Sequence, residues 1–118
     1  MDLEGATVLP GFIDPHGHFT GAMQYALYAD LSACTSFADI EQRMREFMEA
    51  RRIGPDGVVM ATGYDQNALA EGRHPDKSVL DAVSTDVPLI AIHASNHMAV
   101  ANSALLKLAG IDASTPDP

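Results

Sequence analysis

The chain has 118 residues, of which 47% are hydrophobic and 19% charged, a composition typical of a globular domain with one core. Sixteen acidic residues against seven basic ones give a net charge of −9, which disfavours binding to nucleic acid or to anionic membranes. Cys34 is the one cysteine, so an intrachain disulfide is excluded and a reducing, cytoplasmic location is expected. No apolar run approaches the length of a membrane-spanning helix.

The first motif combines a turn, an apolar segment and two histidines. Residues 5–13 predict a strand that is interrupted by a Pro-Gly turn. Side chains two residues apart leave the same face of a strand about 6.6 Å apart, so Asp14, His16 and His18 would share a face at its end. Such a pair also arises by chance among five histidines. The turn, the apolar segment and the aspartate in register favour a metal-binding role for the pair. Two histidines are only half of a site, since a complete zinc site takes three or four ligands.

Helical patterns follow at four places along the chain. Residues 20–28 predict a short helix beside the histidines. Ser36 is the predicted N-cap of a longer amphipathic helix that ends at Gly54 and buries a Phe and Met stripe. Asp76 and Asn102 are the predicted N-caps of two further short helices. The helix after Ser36 is expected to be scaffold, whereas the helix at residues 20–28 is a candidate for the pocket wall.

Two continuous apolar runs, residues 58–62 and 87–94, predict strands covered on both faces, as in a parallel sheet. Strands followed by helices, without an antiparallel hairpin signal, predict a parallel βαβ topology. The carboxyl ends of such strands meet at one edge, so Tyr64 and Asp65, which follow the first run, are candidates for a pocket rim. A polar loop with an Asx turn is the alternative interpretation of these two residues.

The three remaining histidines differ in their surroundings. His74 lies in a loop and is expected to be exposed rather than ligating. His93 ends the second apolar run, a position more typical of a hydrogen-bonded interior residue than of a ligand. His97 follows at what the pattern indicates is a strand-to-helix junction, where free N–H groups orient a carbonyl or carboxylate. His97 is therefore a candidate pocket residue.

Several of these motifs together resemble those of a known family. Residues 10–18 are similar to the first-strand metal motif of the metal-dependent amidohydrolases. The similarity continues in order through residues 29–32, 61–66, 72–75 and 96–111. Across nearly its whole length the chain resembles the branch of the amidohydrolase superfamily that contains N-substituted formamide deformylase.

The resemblance implies an α/β fold that is part of a TIM (β/α)₈ barrel. Because a complete barrel takes about 250 residues, the chain would hold about three parallel βα units. Residues 1–9 would be the remnant of a strand from an N-terminal β-sandwich, and residues 10–118 the first part of the barrel. The chain is therefore expected to be a piece of a longer protein.

The resemblance also implies the chemistry. His16 and His18 would bind a divalent metal, most plausibly zinc, as one or two ions, and a metal-activated water would hydrolyse a carbon–nitrogen bond of a small amide or formamide. Asp14 would orient a histidine ring. In the family the other ligands and catalytic residues lie on later strands, so the isolated chain is expected to be inactive. The modified lysine that bridges two metals in many members has no counterpart, since Lys77 and Lys107 lie in helical stretches.

The alternative interpretation is a small non-enzymatic α/β module that binds a partner or itself and whose histidines are incidental. A coding sequence that continues past residue 118 with further histidine-bearing strands would favour the enzyme, whereas a stop would leave the module open. A partial barrel exposes unpaired strand edges, so association into homo-oligomers is expected.

Overall fold

A computed structural model describes residues 4–116 as a four-stranded sheet with helices packed against it. In chain order the elements are α1 (Phe19–Tyr25), β1 (Ala29–Asp30), α2 (Phe37–Arg51), β2 (Val59–Tyr64), α3 (Lys77–Val83), β3 (Leu89–His93), β4 (Ala99–Ala101) and α4 (Ser103–Ala109). Strands β1, β2 and β3 are parallel neighbours, and β4 is antiparallel to β3 at the edge of the sheet. Within the described residues no helix is both long enough and apolar enough to cross a membrane.

The amphipathic helix predicted from Ser36 is confirmed as α2. The Ser36 hydroxyl accepts a hydrogen bond from the N–H of Asp39 at 3.1 Å, and the Asp39 carboxylate accepts from the N–H and the hydroxyl of Thr35, both at 2.8 Å. These bonds, led by the one from the Thr35 N–H, lower the pKa of Asp39. The helix ends at Arg51, and its C-cap Arg52, with a left-handed φ of 54°, lies two residues before the predicted Gly54.

The two apolar runs are confirmed as β2 and β3, which form the centre of the sheet. Val59 and Ala61 of β2 are fully buried beside their register partners, Leu89 and Ala91 of β3. The residues between them are half-buried, so the second face of the sheet is only partly covered in the part of the chain described here. The buried face carries the core, and α2 contributes Ile40 and Met44 to it, which are also fully buried.

The strand predicted at the start of the chain is absent. Residues 6–14 have no regular structure, and Phe12 and Ile13 are 96% and 90% exposed. A strand needs a hydrogen-bonded neighbour, and Pro10 lacks the N–H that would pair with one. The sheet begins instead at β1, which is too short to give an apolar pattern. Residues 1–3 and 117–118, which belong to the predicted segments 1–9 and 10–118, lie outside the described residues.

The prediction of an entirely parallel sheet is wrong for β4. Residues 94–98 connect β3 to β4 as a hairpin, and Asn96 in this turn has a φ of 60°. His97 therefore lies in a hairpin rather than at a strand-to-helix junction. The hairpin has no sequence signal of the Asn-Gly type, and three residues are too few to show strand alternation.

Asn102 is a fully buried polar residue that holds three elements together. Its Oδ1 accepts hydrogen bonds from the N–H groups of Leu89 at 3.0 Å and Leu105 at 2.9 Å. Its Nδ2 donates to the carbonyls of Ser84 and Val87, both at 2.8 Å. The predicted N-cap of α4 is confirmed, and the same side chain also fixes the start of β3 and the segment that follows α3.

Replacing Asn102 with alanine is expected to lower the free energy of unfolding by at least about 3 kcal/mol, because four backbone groups lose their partner and each buried unsatisfied group costs about 1–3 kcal/mol. Urea unfolding followed by circular dichroism measures the change. The control is Asn67→Ala, which removes an exposed amide that bonds only within its own loop and should cost less than about 1 kcal/mol. Equal losses in the two variants would contradict the role assigned to Asn102.

Candidate functional site

His16 and His18 converge, as predicted, although no strand carries them. Their Nε2 atoms lie 3.2 Å apart, and the ring centroids are 5.0 Å apart with an interplanar angle of 76°. Both residues are exposed and directly precede α1. A bend at residues 15–16, rather than the alternation of a strand, brings the two rings together.

Asp14 and Gly17 shape this bend. The Asp14 Oδ1 accepts a hydrogen bond from the backbone N–H of His16 at 2.9 Å, which makes an Asx turn. A Cβ atom at Gly17 would lie 3.4 Å from the Asp14 Oδ2, which is van der Waals contact, so the carboxylate packs directly over this position. Asp14 thus holds the backbone of His16, whereas the sequence prediction has it orienting a ring.

The separation of the two nitrogens fits two ligands of one zinc ion. Zinc–nitrogen bonds of about 2.0–2.1 Å at tetrahedral angles place the two nitrogens about 3.3 Å apart. The observed separation of 3.2 Å between the Nε2 atoms agrees with this value. Within residues 4–116 no three His, Cys, Asp or Glu residues are grouped so that they could hold a metal. The pair therefore supplies at most half of a four-ligand set.

Two open cavities meet at Tyr25, the last residue of α1. One, of about 490 Å³, lies beside the histidine pair and is lined by Asp14, His18 and Phe19 among others. The other, of about 380 Å³, lies at the carboxyl ends of the parallel strands, with Asn96 on its wall. Tyr25 lines both cavities, and its hydroxyl donates a hydrogen bond to the Asn96 Oδ1 at 3.2 Å.

Sequence reasoning missed Tyr25 and Asn96 as pocket residues. They are 71 positions apart in the chain, so no local pattern joins them. The available signals were weak: the helix beside the histidines was predicted to adjoin the metal motif, and Asn96 follows a buried strand. In the structure Tyr25 and Asn96 are in contact and line the same cavity.

Tyr64 lies in the core rather than on a pocket rim, since only 1% of it is exposed. Simple alternation along β2 would place it on the face opposite Val59 and Ala61. The register shifts between Thr62 and Tyr64, at Gly63 with its φ of 93°, and the extra residue turns Tyr64 to the buried face. Burial raises the pKa of the Tyr64 hydroxyl.

The loop after β2 follows the alternative interpretation of its sequence. The Asp65 Oδ1 accepts hydrogen bonds from the N–H of Asn67 at 2.9 Å and from its Nδ2 at 3.0 Å, which is the Asx turn. His74 is half-buried rather than exposed, because its Nδ1 lies 3.3 Å from the Tyr64 hydroxyl and its ring packs edge-on against that side chain. Neither Asp65 nor His74 contributes to the two cavities at Tyr25.

His93 is a hydrogen-bonded interior residue, 9% exposed. Its Nδ1 accepts from the N–H of Ser95 at 3.0 Å, so Nε2 carries the proton and donates to the Gln66 Oε1 at 2.7 Å. Both ring nitrogens are engaged and neither is free to bind a metal. His97 is exposed in the hairpin, where its N–H donates to the Ser95 Oγ at 3.3 Å, and it lines neither cavity.

Comparison with known proteins extends these observations. The model of the family described as "Amidohydrolase family" matches residues 1–118. The chain is 37% identical over 122 residues to N-substituted formamide deformylase of Arthrobacter pascens and 34% identical over 118 residues to the putative amidohydrolase YtcJ of Bacillus subtilis (strain 168). Both alignments cover 100% of this chain and 22% of the relative.

A solved structure gives the same indication. An uncharacterized metal-dependent hydrolase from Pyrococcus horikoshii OT3 superposes with a TM-score of 0.64 at 29% sequence identity, over 92% of this chain and 20% of that one. The chain thus spans only about a fifth of the length of these proteins. The fold that it shares with them is therefore a small part of theirs.

The chelator-stripped chain is expected to bind one zinc ion through His16 and His18. Complete zinc-finger sites reach about 10–16 kcal/mol, so half a ligand set should give a dissociation constant of roughly 10⁻⁴ to 10⁻⁶ M. Isothermal titration calorimetry measures it in the unaltered chain and in His16→Ala and His18→Ala, both of which should lose binding.

The matched control is His97→Ala, because this exposed histidine lies outside the pair. That variant should bind zinc as the unaltered chain does. Zinc binding that survives in His16→Ala, or that is lost equally in His97→Ala, would contradict the assignment of the ligands.

Proposed function

Because the chain belongs to the amidohydrolase family, we propose that it is the first part of a metal-dependent hydrolase that cleaves carbon–nitrogen bonds other than peptide bonds. The observation that carries the proposal is the 3.2 Å separation of the His16 and His18 Nε2 atoms, which suits two ligands of one ion. A relative named N-substituted formamide deformylase supports amides and formamides as the substrate class. A neighbour described as a metal-dependent hydrolase supports a divalent metal.

In this proposal zinc is the ion, and one or two ions are held with the help of ligands from outside this chain. When bound, zinc lowers the pKa of a water ligand to about 7 and polarises the substrate carbonyl. Within this chain, His16 and His18 would bind the ion, and Asp14 holds the backbone of His16 in the bend that brings its ring to that of His18.

We also propose that β1, β2 and β3, with the helices between them, are about three of the eight units of a (β/α)₈ barrel. The parallel order of the strands supports this arrangement. The cavity that contains Asn96 lies at their carboxyl ends, which is where barrel enzymes hold their substrates. The hairpin formed by β4 would then be an addition at the end of one barrel strand. A cytoplasmic location stays part of the proposal.

The complete protein that contains this chain is expected to hydrolyse N-substituted formamides or small amides in a metal-dependent reaction, measured as release of the amine. His16→Ala and His18→Ala should each lower kcat/KM by at least about 100-fold. Losing a residue that only hydrogen-bonds to a metal ligand typically costs about 10- to 100-fold in metal affinity or activity, and losing the ligand itself costs more. Lys77→Ala, on an exposed face of α3, should leave the rate unchanged.

The isolated 118-residue chain should show no turnover with zinc, since its two histidines are half a site. Turnover by the isolated chain that disappears in His16→Ala would contradict the conclusion that this chain holds only half of the site. A metal-loaded complete protein that cleaves no amide, formamide or cyclic amide would overturn the proposed reaction.

A second candidate is a self-associating α/β module, and exposed apolar side chains before and within α1 favour it. Phe12 and Ile13 are almost fully exposed, and Val8, Leu9 and Phe19 are also largely exposed. Large apolar side chains that are exposed within one short segment are typical of a surface that binds a partner. A second copy of the chain would bury these side chains by pairing the two segments.

Light scattering should show dimers or larger species of the isolated chain at micromolar concentration, and the double variant Phe12→Ser/Ile13→Ser should be monomeric. The control is Val58→Ser, which alters an exposed apolar residue immediately before β2 and should leave association unchanged. A monomer at all concentrations would remove this candidate. If the isolated chain associates and the complete protein also has zinc-dependent activity, the protein is an enzyme and self-association is an additional property.

A further inference from the structure

The contact between Tyr25 and Asn96 joins two parts of the molecule that are otherwise separate. Tyr25 ends the helix that directly follows the histidine pair, and Asn96 lies in the hairpin after β3. Their hydrogen bond, at 3.2 Å, lies where two cavities meet. These are the cavity beside the histidine pair, here called the metal-side cavity, and the cavity at the carboxyl ends of the parallel strands, here called the strand-end cavity. A ligand that touches Asn96 therefore lies next to the surface that leads to His18.

The hydrogen bond fixes what Asn96 offers to a ligand. The Asn96 Oδ1 is occupied by the Tyr25 hydroxyl, so the acceptor side of the amide is used. The backbone N–H of Asn96 donates to the carbonyl of His93 at 2.9 Å and is also used. Among the residues that the structure describes, no partner accepts from the Asn96 Nδ2. The side chain thus presents two free N–H donors to the cavity.

The charges around the cavities select the kind of acceptor that would bind there. Asp14 lines the metal-side cavity and Asp30 the strand-end cavity, whereas neither cavity is lined by a lysine or arginine. Hydrogen bonds from Ser32 lower the pKa of Asp30, which keeps its carboxyl ionised. A carboxylate ligand would be repelled, and a neutral carbonyl oxygen would not.

From this geometry we propose that Asn96 binds the carbonyl oxygen of a neutral amide substrate through its Nδ2, and that Tyr25 is the positioning residue that orients Asn96. The proposal rests on the proposed function for its substrate class. It adds a specificity-determining residue on this chain that is not one of the proposed metal ligands. It also accounts for an asparagine in a left-handed turn, because asparagine tolerates a φ of 60° and carries the donor.

The test is titration of N-methylformamide into the metal-free, ¹⁵N-labelled chain, followed by NMR through the side-chain NH₂ signals of Asn96. For four non-hydrogen atoms a dissociation constant of about 10 mM is expected. Asn96→Asp should weaken binding about tenfold, because the donor becomes an acceptor while aspartate keeps the left-handed backbone. Acetate, the charged analogue, should bind more weakly than the amide.

Tyr25→Phe tests the positioning role. It should shift the Asn96 NH₂ signals before any ligand is added and weaken binding about threefold, since the fixed orientation is lost. Tyr28→Phe is the matched control, because Tyr28 packs edge-on against Tyr25 with ring centroids 6.0 Å apart and should change neither quantity. Unchanged backbone signals of β2 and β3 in every variant show that the fold is intact.

Three results would overturn the proposal: Asn96→Asp that binds the amide as the unaltered chain does, acetate that binds more tightly than the amide, or no shift at about fifty times the expected dissociation constant. The titration needs no metal and is repeated in His16→Ala. Amide binding that persists in that variant, when zinc binding is lost, separates this site from the metal site. If the chain binds zinc but does not bind the amide at Asn96, the role of Asn96 is wrong and the proposed metal-dependent hydrolase is unaffected.

Discussion

The pairing of β2 with β3 is the interaction on which the rest of the structure depends. Val59 and Ala61 lie beside Leu89 and Ala91 with no exposed surface, and α2 packs Ile40 and Met44 into the same core. Burial of apolar surface is the dominant favourable term in folding, so this block sets the stability of the chain. Because the two strands are parallel, their carboxyl ends leave the block at one edge. The loop with Asp65 and the turn with Asn96 are placed there by that pairing.

Features that depend on neighbouring residues could be predicted from the sequence. Ser36, Asp76 and Asn102 cap their helices as the sequence indicates, because an N-cap bonds to N–H groups only two or three residues away. The apolar runs gave β2 and β3 because burial requires hydrophobic side chains at most positions of a strand in the core. Positions that depend on a partner elsewhere in the chain could not be predicted in this way. The strand expected before the histidines has no neighbour to pair with, and β4 is recognisable only from its pairing with β3.

The candidate site shows the same division. His16 and His18 were found from their spacing and from a family resemblance, yet the strand that was meant to align them is a bend. Tyr64 is a rim candidate in the sequence because it follows the predicted strand, whereas in the structure β2 continues to Tyr64 and the register shift at Gly63 turns its side chain into the core. Gly63 is a hint of that irregularity, since a glycine inside a strand often marks a bulge, but the glycine alone does not show to which face Tyr64 turns. The Tyr25–Asn96 contact, made across 71 positions, had no local signal at all.

The two halves of the site differ in how firmly this chain holds them. Asn96 belongs to a turn whose backbone is bonded to His93 at the end of the central strand. The histidine pair belongs to an exposed segment directly before α1. At the end of this helix the Tyr25 hydroxyl donates to Asn96 of the hairpin, and the carbonyl of the next residue, Ala26, accepts from the Arg51 guanidinium of α2 at 3.3 Å. Each of these exposed bonds is worth about 1 kcal/mol, which is less than the cost of ordering two residues. In the proposed enzyme, a metal held by His16 and His18 would therefore depend on α1, as well as on further ligands, to keep its position relative to a substrate at Asn96.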